Sequence, residues 1–161
     1  MRVLLFSLVL LMSTAAWACM CPSIASMSDV QASLMAKQQV LAAEEILRVR
    51  VLSLTRVGNN KTTFIVQVQE ALKSNSIETI RKVATGPDSC NLSMELNDEW
   101  LLFVYKGHVS QCSGSWFLGT TSGNFAGLSS SEAVAMYERE RSMAARWIAL
   151  VRGALKGEAA R

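Results

Sequence analysis

Apolar and polar residues alternate most cleanly from Ile46 to Val57, where Leu47, Val49 and Val51 are interleaved with Arg48 and Arg50. A period of two gives one apolar face and predicts a half-buried β-strand. Gly58-Asn59-Asn60-Lys61 predicts a turn, and alternation resumes from Thr62 to Leu72, with Phe64, Val66 and Val68 set against Ile65, Gln67 and Gln69. The two runs predict a β-hairpin. Ile77 to Ala84 predicts a weaker third strand, broken by Thr85-Gly86-Pro87-Asp88-Ser89. Trp100-Leu101-Leu102-Phe103-Val104-Tyr105 has no polar alternation, so residues 99–105 predict a central strand buried on both faces. Gly107 to Ser115 reads as a loop carrying Cys112, and Trp116-Phe117-Leu118 as a short last strand.

Helical periods flank these strands. Ser28 is placed to cap a helix from Asp29 to about Lys37, with Val30, Leu34 and Met35 on one side. Ser129 and Glu132 match a capping box. Ala133, Met136-Tyr137, Met143-Ala144, Trp147-Ile148, Val151 and Leu155 then recur every three or four residues, an amphipathic helix over about 130–155 whose stripe should cover an open side of the sheet. Its polar face mixes Glu138, Arg139, Glu140, Arg141 and Arg146, which suits a solvated surface rather than a membrane. The expected fold is mainly β with flanking helices. About five antiparallel strands would form an OB-like barrel, with a short N-terminal helix and a long C-terminal one.

The first 18 residues alter this picture. Arg2, the apolar run Val3 to Met12 interrupted by Ser7, and small residues ending in Ala16-Trp17-Ala18 have the layout of a signal peptide. Ordinary cleavage would leave Cys19 as the first residue of a single domain spanning 19–157, followed by a disordered tail at 158–161. A lipoprotein signal is the rival reading, disfavoured by Ala16 and the bulky Trp17 before the cysteine. No later segment approaches 18 uninterrupted apolar residues, so no membrane span is expected, and the protein should be secreted or periplasmic. Loss of Arg2 lowers the formal net charge from +3 to +2, and the basic residues are scattered, which argues against nucleic acid.

Export favours disulfides among Cys19, Cys21, Cys90 and Cys112. A Cys19–Cys21 bridge would close a strained ring, so each should reach a distant partner. Catalytic readings find little support. His108 is the single histidine and lies in a loop, and no nucleophile elbow or glycine-rich phosphate loop is present. Glu44-Glu45 and Asp98-Glu99 are sequence neighbours, which on a strand point to opposite faces. No set of residues has metal-ligand spacing once the cysteines are paired. Cys19-Met20-Cys21 also lacks the Cys-x-x-Cys spacing of thiol exchange. The expectation is a non-enzyme without a cofactor.

The N-terminus itself offers chemistry. A free α-amine and the carbonyl of the same residue can chelate a metal in a five-membered ring. A catalytic zinc held by three protein ligands keeps an open position for water, which a rigid Cys19 could occupy. Met20 would then enter the adjoining specificity pocket as an adaptable apolar side chain, and disulfides would preorganise the wedge.

On these features the chain resembles the N-terminal, netrin-like domain of the tissue inhibitors of metalloproteinases. The matching features are Cys19-Met20-Cys21, the strand pair 46–57 and 62–72, Asp88-Ser89-Cys90, the strand Trp100 to Lys106, then Cys112, Trp116 and the following helix. The resemblance implies Cys19–Cys90 and Cys21–Cys112 disulfides. It implies Cys19 as the residue chelating the target's zinc, Met20 in the target's pocket, and Cys21 and Pro22 in the inhibitory ridge. The zinc would come from the target protease, the partner, and the protein itself would be a monomer. Met20 stands where animal members have Thr or Ser, Pro22 comes one residue early, and a third disulfide and the C-terminal subdomain are missing. These differences suit a single-domain, bacterial version of the module. The alternative is a non-catalytic extracytoplasmic module, lipid-anchored in one version, that binds protein or polysaccharide through the barrel. Asn60-Lys61-Thr62 and Asn91-Leu92-Ser93 are glycosylation triplets, meaningful in a eukaryotic host.

Overall fold

The alternation around Arg48 becomes strand β1 (Glu45–Val57), which pairs antiparallel on one side with β2 (Lys61–Lys73) and on the other with β4 (Asp98–Val104). The computed structural model describes residues 21, 24–57, 61–85, 92–120 and 130–159. Helix α1 (Asp29–Ala42) precedes the sheet; β3 (Ile80–Thr85), β5 (His108–Val109) and β6 (Trp116–Thr120) complete it; α2 (Ser130–Ala159) follows. The strand order is β5-β3-β2-β1-β4-β6, in a curled half-barrel.

The five expected strands all form, but the sheet has six, and one pairing, β3 with β5, is parallel. The extra strand arises inside the expected loop 107–115. Lys106 and Gly107 both take positive φ, 51° and 74°, and close a two-residue hairpin in which Tyr105 and His108 exchange backbone hydrogen bonds of 2.9 Å. Two residues are too few to show a period. The third strand also starts later than expected, and Ile77 is 99% exposed before it.

The curl separates two cores. Leu47, Val49, Val51, Phe64, Val66, Val83, Trp100, Leu102 and Val104 pack inside it. On the other face Ile46, Leu101 and Phe103 meet Ile24, Ala32, Ala36, Val40, Trp147 and Val151 from the helical side. Consecutive residues of β4 therefore serve opposite cores, which is why this strand reads as unbroken apolar sequence. The register of β1 against β2 shifts between Val51 and Ser53, placing a bulge at Leu52, and burial along the strand ends there.

Helix α1 starts as expected. The Gln31 N–H donates to Ser28 Oγ at 3.3 Å, and the Ser28 N–H donates to Gln31 Oε1 at 3.1 Å, a reciprocal cap. It runs past Lys37 to Ala42 and buries Ala32, Ala36 and Val40 rather than the expected Val30 and Leu34, which stay exposed. Close approach to α2 and the sheet leaves room for alanines. Helix α2 likewise differs: Ala144, Trp147, Val151 and Ala154 are buried, whereas Met136 and Tyr137 are exposed. The stripe covers the sheet along its second half alone. The helix continues to Ala159, so residues 158 and 159 of the expected tail are helical. Among the described residues no helix is long and apolar enough to cross a membrane.

Candidate functional site

Cys21 and Cys112 are joined by a disulfide with a Cα–Cα distance of 5.0 Å, tying the start of the domain to a residue 91 positions on. This is the pairing that the resemblance implies. Cys19, Met20, Pro22 and Cys90 lie outside the described residues.

Both ends of the bridge are held by independent contacts. Downstream of Cys21 the chain makes a 3-10 turn, Ile24–Ser26, whose first residue is fully buried in the helix-side core. Arg146 of α2 then grips this segment: its guanidinium donates to the carbonyls of Ile24 and Met27, each at 3.3 Å, and to Asp29 Oδ1 at 2.7 Å. Five donors in a planar fork make arginine suited to gathering several acceptors at once. The sequence placed Arg146 merely on a solvated face; no local signal marked its partners, which lie 117 to 122 residues away.

Cys112 sits in a 3-10 turn, Gln111–Ser113, between β5 and β6. Ser113 donates to the Ser110 carbonyl at 2.6 Å, and Ser115 Oγ accepts the Phe103 N–H at 3.0 Å. The Trp147 indole N–H donates to the Gly114 carbonyl at 3.0 Å. Gly114 has φ +88°, and a Cβ there would lie 3.1 Å from Gln39 Cγ, so the position is restricted twice, by backbone and by space. Gln39 in turn accepts a 2.6 Å hydrogen bond through Oε1 from the Tyr105 hydroxyl. Burial pushes the Tyr105 phenol up to about 12.

Beside the bridge lies a cleft of about 430 Å³, lined by Cys21, Cys112, Trp100, Trp116, Trp147 and Phe117 together with Ile24, Met35 and Leu92. Its lining draws on both cores, Trp100 and Phe117 from one and Ile24 and Trp147 from the other, and includes residues of the edge strand β6. Sequence reasoning assigned these aromatics to strands and a helix separately. Their convergence depends on β4, β6 and α2 packing together.

The remaining sequence candidates have structural partners. Glu44 Oε2 accepts the Lys106 N–H at 2.9 Å, and Glu45 pairs with Arg81 and accepts from Ser74. Asp98 is buried and accepts the Glu95 N–H at 2.8 Å. Glu99, on the opposite face, accepts from Arg48, Arg50 and Gln69. Burial works to raise the Glu99 pKa, but the hydrogen bonds from Arg50, Gln69 and Arg48 more than offset it and hold the carboxylate below its ordinary range. His108 is exposed on β5. Among the described residues no three His, Cys, Asp or Glu side chains gather where they could hold a metal ion.

No protein-family model matches the chain, and a search of curated proteins finds no match.

Proposed function

We propose that this chain is a secreted or periplasmic inhibitor of zinc metalloproteases, built on a netrin-like variant of the OB barrel. The mature N-terminal Cys19 would place its amine and carbonyl on the catalytic zinc of the target, with Met20 in the adjoining pocket and Cys21 and Pro22 forming the ridge. The observation that carries the reading is the fixed position of Cys21. Its disulfide, the buried Ile24 and the Arg146 clamp hold the chain immediately after the proposed wedge. Covalent geometry then confines Cys19 Cα to within about 7 Å of Cys21 Cα. A ligand carried on so short a lever gives up little freedom on binding, which is the advantage of preorganisation.

The chemistry also sets its own requirement. The amine must be free and unprotonated to bind zinc, so acylation or an added residue removes the ligand. The test begins with mass spectrometry of the exported, non-reduced protein, which reads the first residue, any modification on it and the cysteine pairing. A chain starting at unmodified Cys19 should inhibit members of a panel of zinc proteases. A version carrying one extra Ala before Cys19 should fold identically and not inhibit. Equal inhibition by both forms would refute chelation through the amine and move the interaction to the barrel face, as in the binding-module reading. A lipid-modified Cys19 would exclude the inhibitor outright.

A further inference from the structure

The cleft beside the disulfide points to a second capacity, independent of what the N-terminus does. We infer that it is a preformed site for an uncharged apolar small molecule, of the size and kind of a single alkyl or acyl chain. Ile24, Met35, Leu92, Trp100, Trp116, Phe117 and Trp147 supply apolar and aromatic surface, and among the described residues no Asp, Glu, Lys, Arg or His lines the cleft. A charged ligand would lose its hydration with no described side chain of opposite charge to pair it.

The polar groups at the cleft are largely engaged already. Trp147 donates its indole N–H to Gly114, Ser115 Oγ receives the Phe103 N–H, and Gln39 Oε1 receives the Tyr105 hydroxyl. What remains open is ring face and aliphatic surface, which recognises shape and apolarity rather than a pattern of hydroxyls. A sugar would find stacking surface but few free hydrogen-bonding groups. The volume, about 430 Å³, falls within the range of roughly 300–1,000 Å³ usual for small-molecule pockets. Its walls are fixed before any ligand arrives. The Cys21–Cys112 disulfide forms part of them, and Trp147 is fully buried behind.

The tryptophans make the site directly observable. The chain has four, and Trp17 lies in the segment expected to be removed, so Trp100, Trp116 and Trp147 would be the entire indole fluorescence of the mature protein. All three line the cleft. The experiment titrates the mature, oxidised protein with 11-bromo-1-undecanol, a neutral chain whose bromine quenches indoles on contact. Saturable quenching is expected. Each methylene removed from the probe should weaken it by about three- to fourfold. With the N-terminal amine acetylated, so that the Cys19 ammonium cannot pair with it, the carboxylate analogue, 11-bromoundecanoate at pH 7, should bind at least about tenfold more weakly than the alcohol, because no charged side chain among the described residues lines the cleft. Ser93, exposed on the lining, allows a filling variant: Ser93→Phe should weaken binding about tenfold, with an unchanged circular dichroism spectrum.

The chain-length and headgroup comparisons need no variant and stand even if Ser93→Phe does not fold. Quenching that rises linearly without saturation would overturn the proposal, as would equal binding of the carboxylate. Saturable binding of a neutral disaccharide such as maltose in place of the alcohol would overturn the assigned ligand class. Tryptophan emission that shifts with protein concentration would show a second copy covering the cleft and would likewise refute it.

Discussion

At the scale of single residues, Tyr105 is the titratable group most firmly tied to the candidate site. Its hydroxyl reaches Gln39, whose side chain packs at the position where Gly114 forbids a Cβ, so one hydrogen bond connects β4's end, α1 and the Cys112 turn. The folded protein resists ionising this phenol until about pH 12, whereas an exposed tyrosine ionises near 10.0. Between those values the unfolded chain gives up a proton that the folded chain keeps, so stability is complete below 10 and declines as pH rises toward 12. Urea unfolding midpoints should fall over this window. Tyr105→Phe should flatten the alkaline decline, at a cost of about 1 kcal/mol at neutral pH from the lost hydrogen bond. An alkaline limb unchanged in the variant would contradict the assignment. Glu99 shows the opposite direction for the opposite reason: Arg50, Gln69 and Arg48 stabilise its charged form.

At the scale of elements, α2 divides into two halves. From Ala144 onward it buries Ala144, Trp147, Val151 and Ala154, and Arg152 pairs with Glu70 of β2 at 2.7 Å. From Ser131 to Met143 every described residue is exposed or half-exposed, Val134 at 62%. Helices in proteins draw most of their stability from tertiary packing, and local opening is easiest where few apolar contacts must be broken. Amide hydrogen exchange should therefore be slower across 144–155 than across 131–143, by about tenfold or more. Uniform protection along α2 would mean the first half is covered after all. The sequence showed one stripe of apolar residues with no break at Ala144. The periodicity was legible; which part of the stripe meets the sheet was not, because that depends on the sheet's length. The same holds for α1, where the cap at Ser28 was legible and the buried face was not. Periodicity ranks large apolar residues first, but the narrow space against α2 accepts Ala32 and Ala36.

At the scale of the whole molecule, the Cys21–Cys112 bridge closes a loop that holds α1 and every strand but β6, leaving α2 outside it. In the chain-entropy treatment a loop of this length stabilises the fold by about 4–5 kcal/mol, a large share of what a domain of this size possesses. Replacing both cysteines by serine should lower the denaturation midpoint accordingly, and should also release the chain at Cys21 from its mount. Inhibition by the N-terminus, where the inhibitor reading holds, should then fall more steeply than stability alone accounts for. This is measured by comparing inhibition constants at a temperature where both proteins are fully folded. A serine variant with unchanged stability would show that the Arg146 clamp and Ile24 hold the segment unaided.

Local physics, written in sequence, determined much of this protein. Alternation around Arg48, the unbroken run at Trp100 and the Ser28 cap each depend on near neighbours, so the strands, the two helices and the mainly β class were readable in advance. Four cysteines also announced long-range bridging. The tertiary structure alone decided how those pieces meet. A two-residue turn at Lys106-Gly107 added a sixth strand, Arg146 found carbonyls more than a hundred residues away, and three tryptophans from β4, β6 and α2 came to line one cleft. Such contacts have no period and no local spacing. They exist because burying two faces of one curled sheet brings distant residues to the same edge.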